Sequence, residues 1–531
     1  MESNSAILVI LGIIAMLLIL VFDKMRPGFT ILSVSIIFMA LGIISPEELL
    51  AGFSNKEMIT VAMLFLVGEG VRRSGALTHA IRQILPAKKE SVWRVLGRML
   101  PSISAMSMMI NNTAVVVIFA PIVKRWAKIV GVPSTKLLIP LSYATILGGM
   151  CTLIGTSTNM VVNGLMISSG FKGFSMFEIG QVGAIIAGVG LLYLIAFSNF
   201  LLPEEKERKA EEEHSEIEGV EQSKPAEDSA ANSVKKTHTV EIMLTARFPG
   251  IGRSMSEYSF HRQYGAKISA VRHGGEEVNI KGKRHIYSVG DTLILDADEY
   301  FAKIWGETSA FYIVASSVEE DLFNDLEGSD SQKWMGFSLL IFLIVGATVG
   351  GALGGSKFDI FPLAAIIMVF MAIARIFPVK RYTKFISWDI LIAIASAFAI
   401  NKAMSNSGVN DLIASGIIDM TSTLGSIGVM ASLYIVTMLL TELITNNAAV
   451  AVAFPIALSL ANQLGIDPKP LFVTICIAAS ASFSSPIGYQ TNLIVQGMGG
   501  YKFTDYVKIG LALNIITFII SMIMIPRIWH L

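Results

Sequence analysis

Charge is what this 531-residue chain has little of: 15% of its residues are Asp, Glu, Lys or Arg, against roughly 25% in a soluble globular domain, while 53% are hydrophobic. A soluble enzyme is excluded on that ground. Lys+Arg and Asp+Glu each number 41, so no net charge favours nucleic acid as a partner. Cysteine is nearly absent. Cys151 and Cys476 sit in apolar runs outside any paired motif, which argues against a disulfide framework and a Cys-based metal site. The seven histidines (His79, His214, His238, His261, His273, His285, His530) all lie outside the long apolar segments, which disfavours an intramembrane zinc or Ser-His centre. With no nucleophile-base constellation at membrane depth, an enzyme is the weakest class and no cofactor is expected.

What abounds is apolar sequence. Runs of spanning or near-spanning length recur at about 6–22, 28–44, 58–71, 136–154, 177–200, 334–353, 360–377, 388–401, 470–484 and 507–526, against the roughly 20 residues a spanning helix needs. They predict a polytopic α-helical membrane protein. The first run lacks a basic n-region and is followed by Asp23, Lys24 and Arg26 instead of a small-residue cleavage site, so it reads as a retained span.

Between the two apolar parts the composition changes. Glu204, Glu205, Glu207, Glu211, Glu212 and Glu213 open a charged linker over 203–237. The stretches TVEIMLTARF, GAKISAVRHG and DTLILDAD alternate between Gly-rich turns, which predicts a small α/β module at 238–305 and a second linker at 306–333. Membrane repeats are expected at 1–202 and 334–531. If the insert is cytoplasmic, thirteen basic residues of the first half, from Lys24 and Arg26 to Lys128 and Lys136, fall inside and only Lys56 and Lys172 outside, as the positive-inside rule requires. Arg375, Lys380, Arg381 and Lys384 also fall inside, and both termini outside.

The two halves repeat each other. Gly155-Thr-Ser-Thr158-Asn159 matches Gly488-Tyr-Gln-Thr491-Asn492, and Ser74-Gly75 matches Ser407-Gly408, at a shift of 333; Asn111-Asn112-Thr113-Ala114 matches Asn446-Asn447-Ala448-Ala449 at 335. Helix counting gives the halves opposite topology: an inverted repeat of about five spans plus one re-entrant hairpin each, the architecture of many secondary transporters. The hairpins are expected at 92–130, around Asn111-Asn112-Thr113, and at 425–463, around Thr445-Asn446-Asn447. The Gly-x-x-Thr-Asn loops break the spans at 136–167 and 470–496. Irregular backbone is tolerated at membrane depth only where it is buried in protein or lines a cavity, so four breaks imply a polar central site. Each break exposes a helix N-terminus and neutral oxygen ligands, and neither the hairpin tips nor the loops contain Lys or Arg. That chemistry suits an anion bound together with small cations. Glu442, five residues before Asn447, reads as a cation ligand or proton carrier, or else as a structural partner of Lys402 or a solvated position; Glu69, followed by Arg72 and Arg73, reads as interfacial.

These motifs resemble the paired Ser-Asn-Thr hairpins and Gly-Thr-Pro-Pro-Asn loop of the divalent anion:sodium symporter (DASS) family within the ion transporter superfamily. The resemblance implies a homodimer with scaffold and transport domains working by an elevator motion, with Na+ as coupling ion. Carried over, it implies a first sodium site at Ser107, Asn111, Asn112 and Gly155 and a second at Thr445, Asn447 and Gly488. Substrate contacts are implied at Asn111, Asn112, Thr113, Asn446, Asn447, Thr158, Asn159, Thr491 and Asn492. Ala448 departs from the family's second Thr, Thr158 and Thr491 from its prolines, and Glu442 from a neutral hydroxyl residue. The insert is similar to the RCK_C (TrkA-C) domain, which implies a small regulatory ligand such as a cyclic dinucleotide, with Arg253, Arg262 and His273 as conceivable contacts. Permeases combining these parts are often sulfate transporters, so sulfate is the first expectation and a dicarboxylate the second. A sensor that signals anion level through the insert is the reading from another class. Localisation is expected in the cell membrane, a bacterial inner membrane, with the insert cytoplasmic.

Overall fold

Long apolar segments have few ways to satisfy their backbone in lipid, and the helix, which closes all its hydrogen bonds within one segment, is the commonest. In the computed structural model, which describes residues 2–22, 24–75, 84–85, 90–203, 238–245, 248–273, 276–278, 285–297, 301, 305, 310–316, 330–353, 360–377, 379–421 and 423–530, helices dominate both halves. The first half holds α1 (Glu2–Val21), α2 (Pro27–Ala40), α3 (Pro46–Ala51), α4 (Lys56–Arg73), α5 (Val92–Ser107), α6 (Asn112–Val130), α7 (Leu138–Gly149), α8 (Ser157–Ser168) and α9 (Gly180–Leu201). The second holds α11 (Asp330–Leu353), α12 (Ile360–Ile373), α13 (Trp388–Asn406), α14 (Val409–Thr421), α15 (Gly425–Leu443), α16 (Asn446–Leu464), α17 (Lys469–Ser480), α18 (Gln490–Gly499) and α19 (Phe503–Trp529). Among the described residues, six stretches are helical, long and apolar enough to cross a membrane: Pro46–Arg73, Gly180–Leu201, Trp388–Asn406, Gly425–Leu443, Asn446–Leu464 and Phe503–Trp529.

Local chemistry sets many of the ends. Ser45 and Glu48 close a capping box on α3, and Asn55 caps α4 through the Glu57 N–H. Both hairpin return helices, α6 and α16, carry an internal proline, Pro121 and Pro455, and stop at a glycine in the left-handed region, Gly131 (φ 70°) and Gly465 (φ 66°). Pro121 to Pro455 and Gly131 to Gly465 are both steps of 334. The loops at 150–156 and 481–489 interrupt the helices where the Gly-x-x-Thr-Asn motifs fall.

Helices of the two halves interleave. The helix α2 packs on α13, α12 on α4, and α9 on α19. The start of α7 lies beside the end of α9, where the Lys136 ammonium donates to the carbonyls of Asn199 (2.7 Å) and Leu202. The start of α17 lies instead beside the loop preceding α9, where Lys469 pairs with Glu178.

The insert is a five-stranded antiparallel sheet of β1 (His238–Leu244), β2 (Lys267–His273), β3 (Glu276–Val278), β4 (Thr292–Ala297) and β5 (Phe311–Ser316), ordered β3-β2-β4-β1-β5, with the one-and-a-half-turn helix α10 (Phe260–Tyr264). Strands β1, β2 and β4 fall on the three alternating stretches. Phe248, Tyr258, Phe260, Tyr264, Tyr287 and Phe311 form its aromatic core. Strand β5 pairs with β1 although it lies in the segment 306–333 that composition assigns to a linker; its six residues, FYIVAS, show no clear apolar–polar alternation. Of the first linker, 203–237, only Pro203 falls within the described residues, and of the second only 310–316 and 330–333. The insert rests on both halves: Lys124 of α6 approaches Glu241 (3.5 Å), and Thr292 Oγ1 donates to the Gly497 carbonyl of α18 (3.2 Å).

Candidate functional site

Each hairpin tip begins a helix. Asn111 is the N-cap of α6, its Oδ1 accepting the Thr113 N–H at 3.0 Å, and Thr445 occupies the same position before α16. The loops begin helices in the same manner: Thr156 (φ −136°, ψ 143°) precedes α8 and Tyr489 (φ −133°, ψ 129°) precedes α18, both extended at nearly the same angles. The four N-termini meet across the halves. Thr113 Oγ1 donates to Gln490 Oε1 (3.4 Å), Ser157 Oγ donates to Asn447 Oδ1 (3.4 Å), and the Tyr489 hydroxyl joins Thr156 Oγ1 (3.1 Å) and the Asn112 amide (2.6 Å). Helix N-termini carry partial positive charge and unpaired N–H groups, and no Lys or Arg stands among residues 107–113, 155–159, 441–447 or 488–492. Asn111 and Ser157 also border a cavity whose other walls are apolar, including Phe65, Met109, Ile154 and Leu340.

Behind each tip lies a cluster of oxygens. In the first half one terminal atom of the buried Asn112 amide sits 2.7 Å from Ser107 Oγ, 3.0 Å from the Thr145 carbonyl and 3.2 Å from the Gly155 carbonyl; turned so that this atom is nitrogen, the amide satisfies these acceptors and takes the Tyr489 hydroxyl proton on its oxygen. In the second half Thr441 Oγ1 lies 3.1 Å from Asn446 Oδ1 and 2.7 Å from the Ala479 carbonyl, and Ser482 Oγ donates to the Thr441 carbonyl (3.3 Å). Gly488 presses on this cluster so closely that a Cβ there would stand 2.1 Å from Ser482 Oγ and 2.2 Å from the Thr441 carbonyl oxygen.

The hydrogen bonds put the second hairpin at a register one residue off the sequence match. The shift of 335 pairs Asn112 with Asn447, but Ser107-Asn112 and Thr441-Asn446 are the equivalent five-residue pairs, at 334. Asn446 therefore occupies the cluster position expected of Asn447, while Asn447 faces Ser157 in the cleft. Asn111 is also separate from the first cluster, because its side-chain oxygen caps its own helix and its carbonyl accepts from Ala114 and Val115.

Asn159 and Asn492 bond to the carbonyls of their own loops. Asn159 Nδ2 donates to the carbonyls of Thr152 (2.9 Å) and Gly149 (3.5 Å), and Asn492 Nδ2 to those of Ser485 (3.1 Å) and Ser482 (2.9 Å), seven and ten residues upstream in each case. They staple the unwound loops, supplying donors to carbonyls the broken helix leaves over. Thr158 and Thr491 are buried beside them. Thr145, Thr156, Ser157, Tyr489 and Gln490 join these clusters and cross-half bonds without having been singled out in the sequence. For Thr156, Ser157, Tyr489 and Gln490 a signal was available, since the repeat places them as 156/489 and 157/490 inside the matched loops.

Glu442 is half-buried and held without a cation. Its Oε1 accepts from the Ser484 N–H (2.9 Å) and Asn514 Nδ2 (2.7 Å), and its Oε2 from Ser482 Oγ (3.4 Å). Among the described residues no Lys or Arg bonds to it, and Lys402 is exposed elsewhere. Glu69 forms an ion pair with Arg72 and Arg73, at 2.6 and 2.7 Å. In the insert, Arg253 and Arg262 are exposed, and His273 bonds Asp291.

Helices interrupted at two symmetric pairs of positions, with uncharged donors and oxygens gathered at the breaks, define a polytopic membrane transporter. The particular family follows from comparison: the chain belongs to the CitMHS citrate transporter family, matching it over residues 17–478 and 362–530. It is similar to an uncharacterized transporter of Synechocystis, 28% identical over 97% of this chain and 96% of the relative. It is also similar to a putative sulfur deprivation response regulator of Chlamydomonas reinhardtii (26% identical, 93% and 96% covered) and to a probable sodium/sulfate cotransporter 3 of the same alga (22% identical, 88% and 82% covered). The family and the relatives are transporters, not enzymes.

Proposed function

We propose that the chain couples sodium ions to the uptake of sulfate or a similar divalent inorganic anion. The observation that carries this reading is the meeting of four helix N-termini across the two halves with no cationic side chain among them: amides and hydroxyls can hold an anion there, but its charge needs co-bound cations. The cluster at Ser107, Asn112, Thr145 and Gly155 would take one sodium ion once the Asn112 amide turned its oxygen inward. The cluster at Thr441, Asn446, Ala479 and Gly488 would take the other. Substrate would lie against Asn111, Thr113, Ser157, Asn447 and Gln490.

The halves act as an inverted repeat in this reading, a proposal supported by the opposed ends at which Lys136 and Lys469 find their partners. An elevator motion of a homodimer, with an RCK_C-like insert on the cytoplasmic side and a small ligand regulating it, completes the proposal. A carboxylate substrate is the second reading, favoured by the citrate transporter family match.

Uptake of radiolabelled sulfate into proteoliposomes, with and without an inward sodium gradient and with unlabelled succinate or citrate as competitor, tests it. Sodium-driven sulfate accumulation indifferent to both carboxylates is the expected result. Sodium-driven carboxylate uptake without sulfate uptake would move the substrate to the second reading, and accumulation of neither would overturn transport of divalent anions.

A further inference from the structure

Outside the membrane site, three side chains of the insert converge on one point. Asp291 is wholly buried, yet its carboxylate faces two imidazoles: His273 Nδ1 lies 2.6 Å from Oδ1 and His285 Nε2 lies 2.7 Å from Oδ2. The side chain of His285 is 10% exposed and that of His273 is 55% exposed, so the group opens to solvent on one side.

The backbone fixes each member. His273 ends β2, whose neighbour Arg272 pairs with Thr292 on β4, which brings His273 level with Asp291. His285 is held by the Met255 N–H on its carbonyl (2.9 Å) and by the bridge between Ser254 and Ile286. Asp291 sits in a turn where Ser288 N–H donates to Oδ2 (2.8 Å), Gly290 N–H to the Leu244 carbonyl and Leu244 N–H to the Asp291 carbonyl. Such placement matches the demand of metal coordination, in which ligands are oriented before the ion arrives.

We propose that His273 Nδ1, His285 Nε2 and an Asp291 carboxylate oxygen form a binding site for a divalent transition-metal ion of the zinc class. Two imidazoles and one carboxylate are the donor set of borderline ions such as Zn2+ and Co2+, whereas Ca2+ and Mg2+ prefer all-oxygen shells. The three donor atoms already lie within 4.8 Å of one another, and in a tetrahedral zinc site with metal–ligand bonds of about 2.0–2.2 Å neighbouring donors are about 3.4 Å apart. Small side-chain rotations therefore close the shell, and water from the exposed side of His273 supplies the remaining position. The site adjoins the membrane domain: Gly290 packs against Leu493 of α18, and Thr292 bonds to Gly497 of the same helix.

The test is binding of Co2+ and Zn2+ to the untagged, full-length protein in detergent, and it does not depend on the transport reading. One Co2+ per chain is expected, with visible d–d absorption that Zn2+ abolishes by displacement, and a Zn2+-dependent rise in the melting temperature. His273→Ala, at the half-exposed end of β2, and His285→Ala should each weaken binding at least about tenfold. Absence of stoichiometric binding in the wild type, or wild-type affinity in either variant that melts cooperatively, would overturn the proposal.

Discussion

Gly488→Ala probes the second oxygen cluster most directly, because the space it would fill is already occupied. The added Cβ meets Ser482 Oγ at 2.1 Å, the Thr441 carbonyl oxygen at 2.2 Å and Glu442 Cα at 3.2 Å, and real Cβ atoms essentially never come within 3.0 Å of a neighbour. The Ser482 hydroxyl can rotate away, at the loss of its bonds to Thr441 and Glu442. The Thr441 carbonyl cannot, since it belongs to the last turn of α15 and moves only with the hairpin. Overpacking of this kind costs about 1–3 kcal/mol, which corresponds to roughly 5- to 150-fold in an equilibrium constant. If the strain falls on the arrangement that holds the cation, the sodium concentration for half-maximal uptake rises by that factor while the protein still elutes as folded material. Gly155→Ala applies the parallel test to the first cluster. Its Cβ would stand 2.8 Å from Gly149 Cα and O, backbone atoms at the end of α7 that must shift as well, so sodium dependence should weaken there too. Uptake measured against sodium concentration for both variants decides the matter. Wild-type sodium dependence in Gly488→Ala would refute the assignment of the second cluster, and in Gly155→Ala that of the first.

Asn492→Ala removes two donors from the carbonyls of Ser482 and Ser485 and the acceptor for Ser142 Oγ; at about 1 kcal/mol for each net hydrogen bond it should lower the melting temperature by more than Asn159→Ala, whose loop loses only the bonds to Thr152 and Gly149. Glu442→Gln keeps a carbonyl oxygen for the Ser484 N–H and removes the charge, so sodium affinity should fall if the carboxylate assists the cation, and the pH dependence of uptake should flatten if it carries protons; unchanged profiles in both assays would leave it a purely structural acceptor. For Glu178, burial raises the carboxyl pKa, but the bonds from Lys469 and the Ser175 N–H outweigh it and hold the group below its ordinary range. A depressed carboxyl contributes stability above the unfolded value, about 4.3, which is lost as pH falls through the folded value. Acid melting curves should therefore show a steeper loss below pH ~4.3 in the wild type than in Glu178→Gln.

Periodicity and length made the membrane helices legible, since apolar runs of near-spanning length have few other conformations open to them in lipid. The hairpin tips and unwound loops were legible for a complementary reason: Asn111-Asn112-Thr113 and Gly155-Thr-Ser-Thr158-Asn159 interrupt such runs with residues that cap helices and bind turns. The register between hairpins was not, because Asn446-Asn447 is a doublet and the match to Asn111-Asn112 can slide by one residue without loss. Only the prolines and left-handed glycines downstream, Pro121 with Pro455 and Gly131 with Gly465, break that degeneracy. Strand β5 stayed hidden because a six-residue edge strand borrows its stability from β1 and needs little pattern of its own.

The one-residue correction changes the logic of the site. With Asn112 and Asn446 as equivalents, each half contributes one amide to an oxygen cluster behind its own tip, and the next residue of each helix, Thr113 or Asn447, reaches across to the opposite half's loop helix at Gln490 or Ser157. In the proposed reading the cations would sit in these clusters and the anion in the cleft between the halves. An ion settling in either cluster would then act on the first turn of α6 or α16, and that turn carries the residue facing the cleft. Coupling of cation to anion would need no long pathway: it would pass through one peptide unit, from Asn112 to Thr113 in one half and from Asn446 to Asn447 in the other.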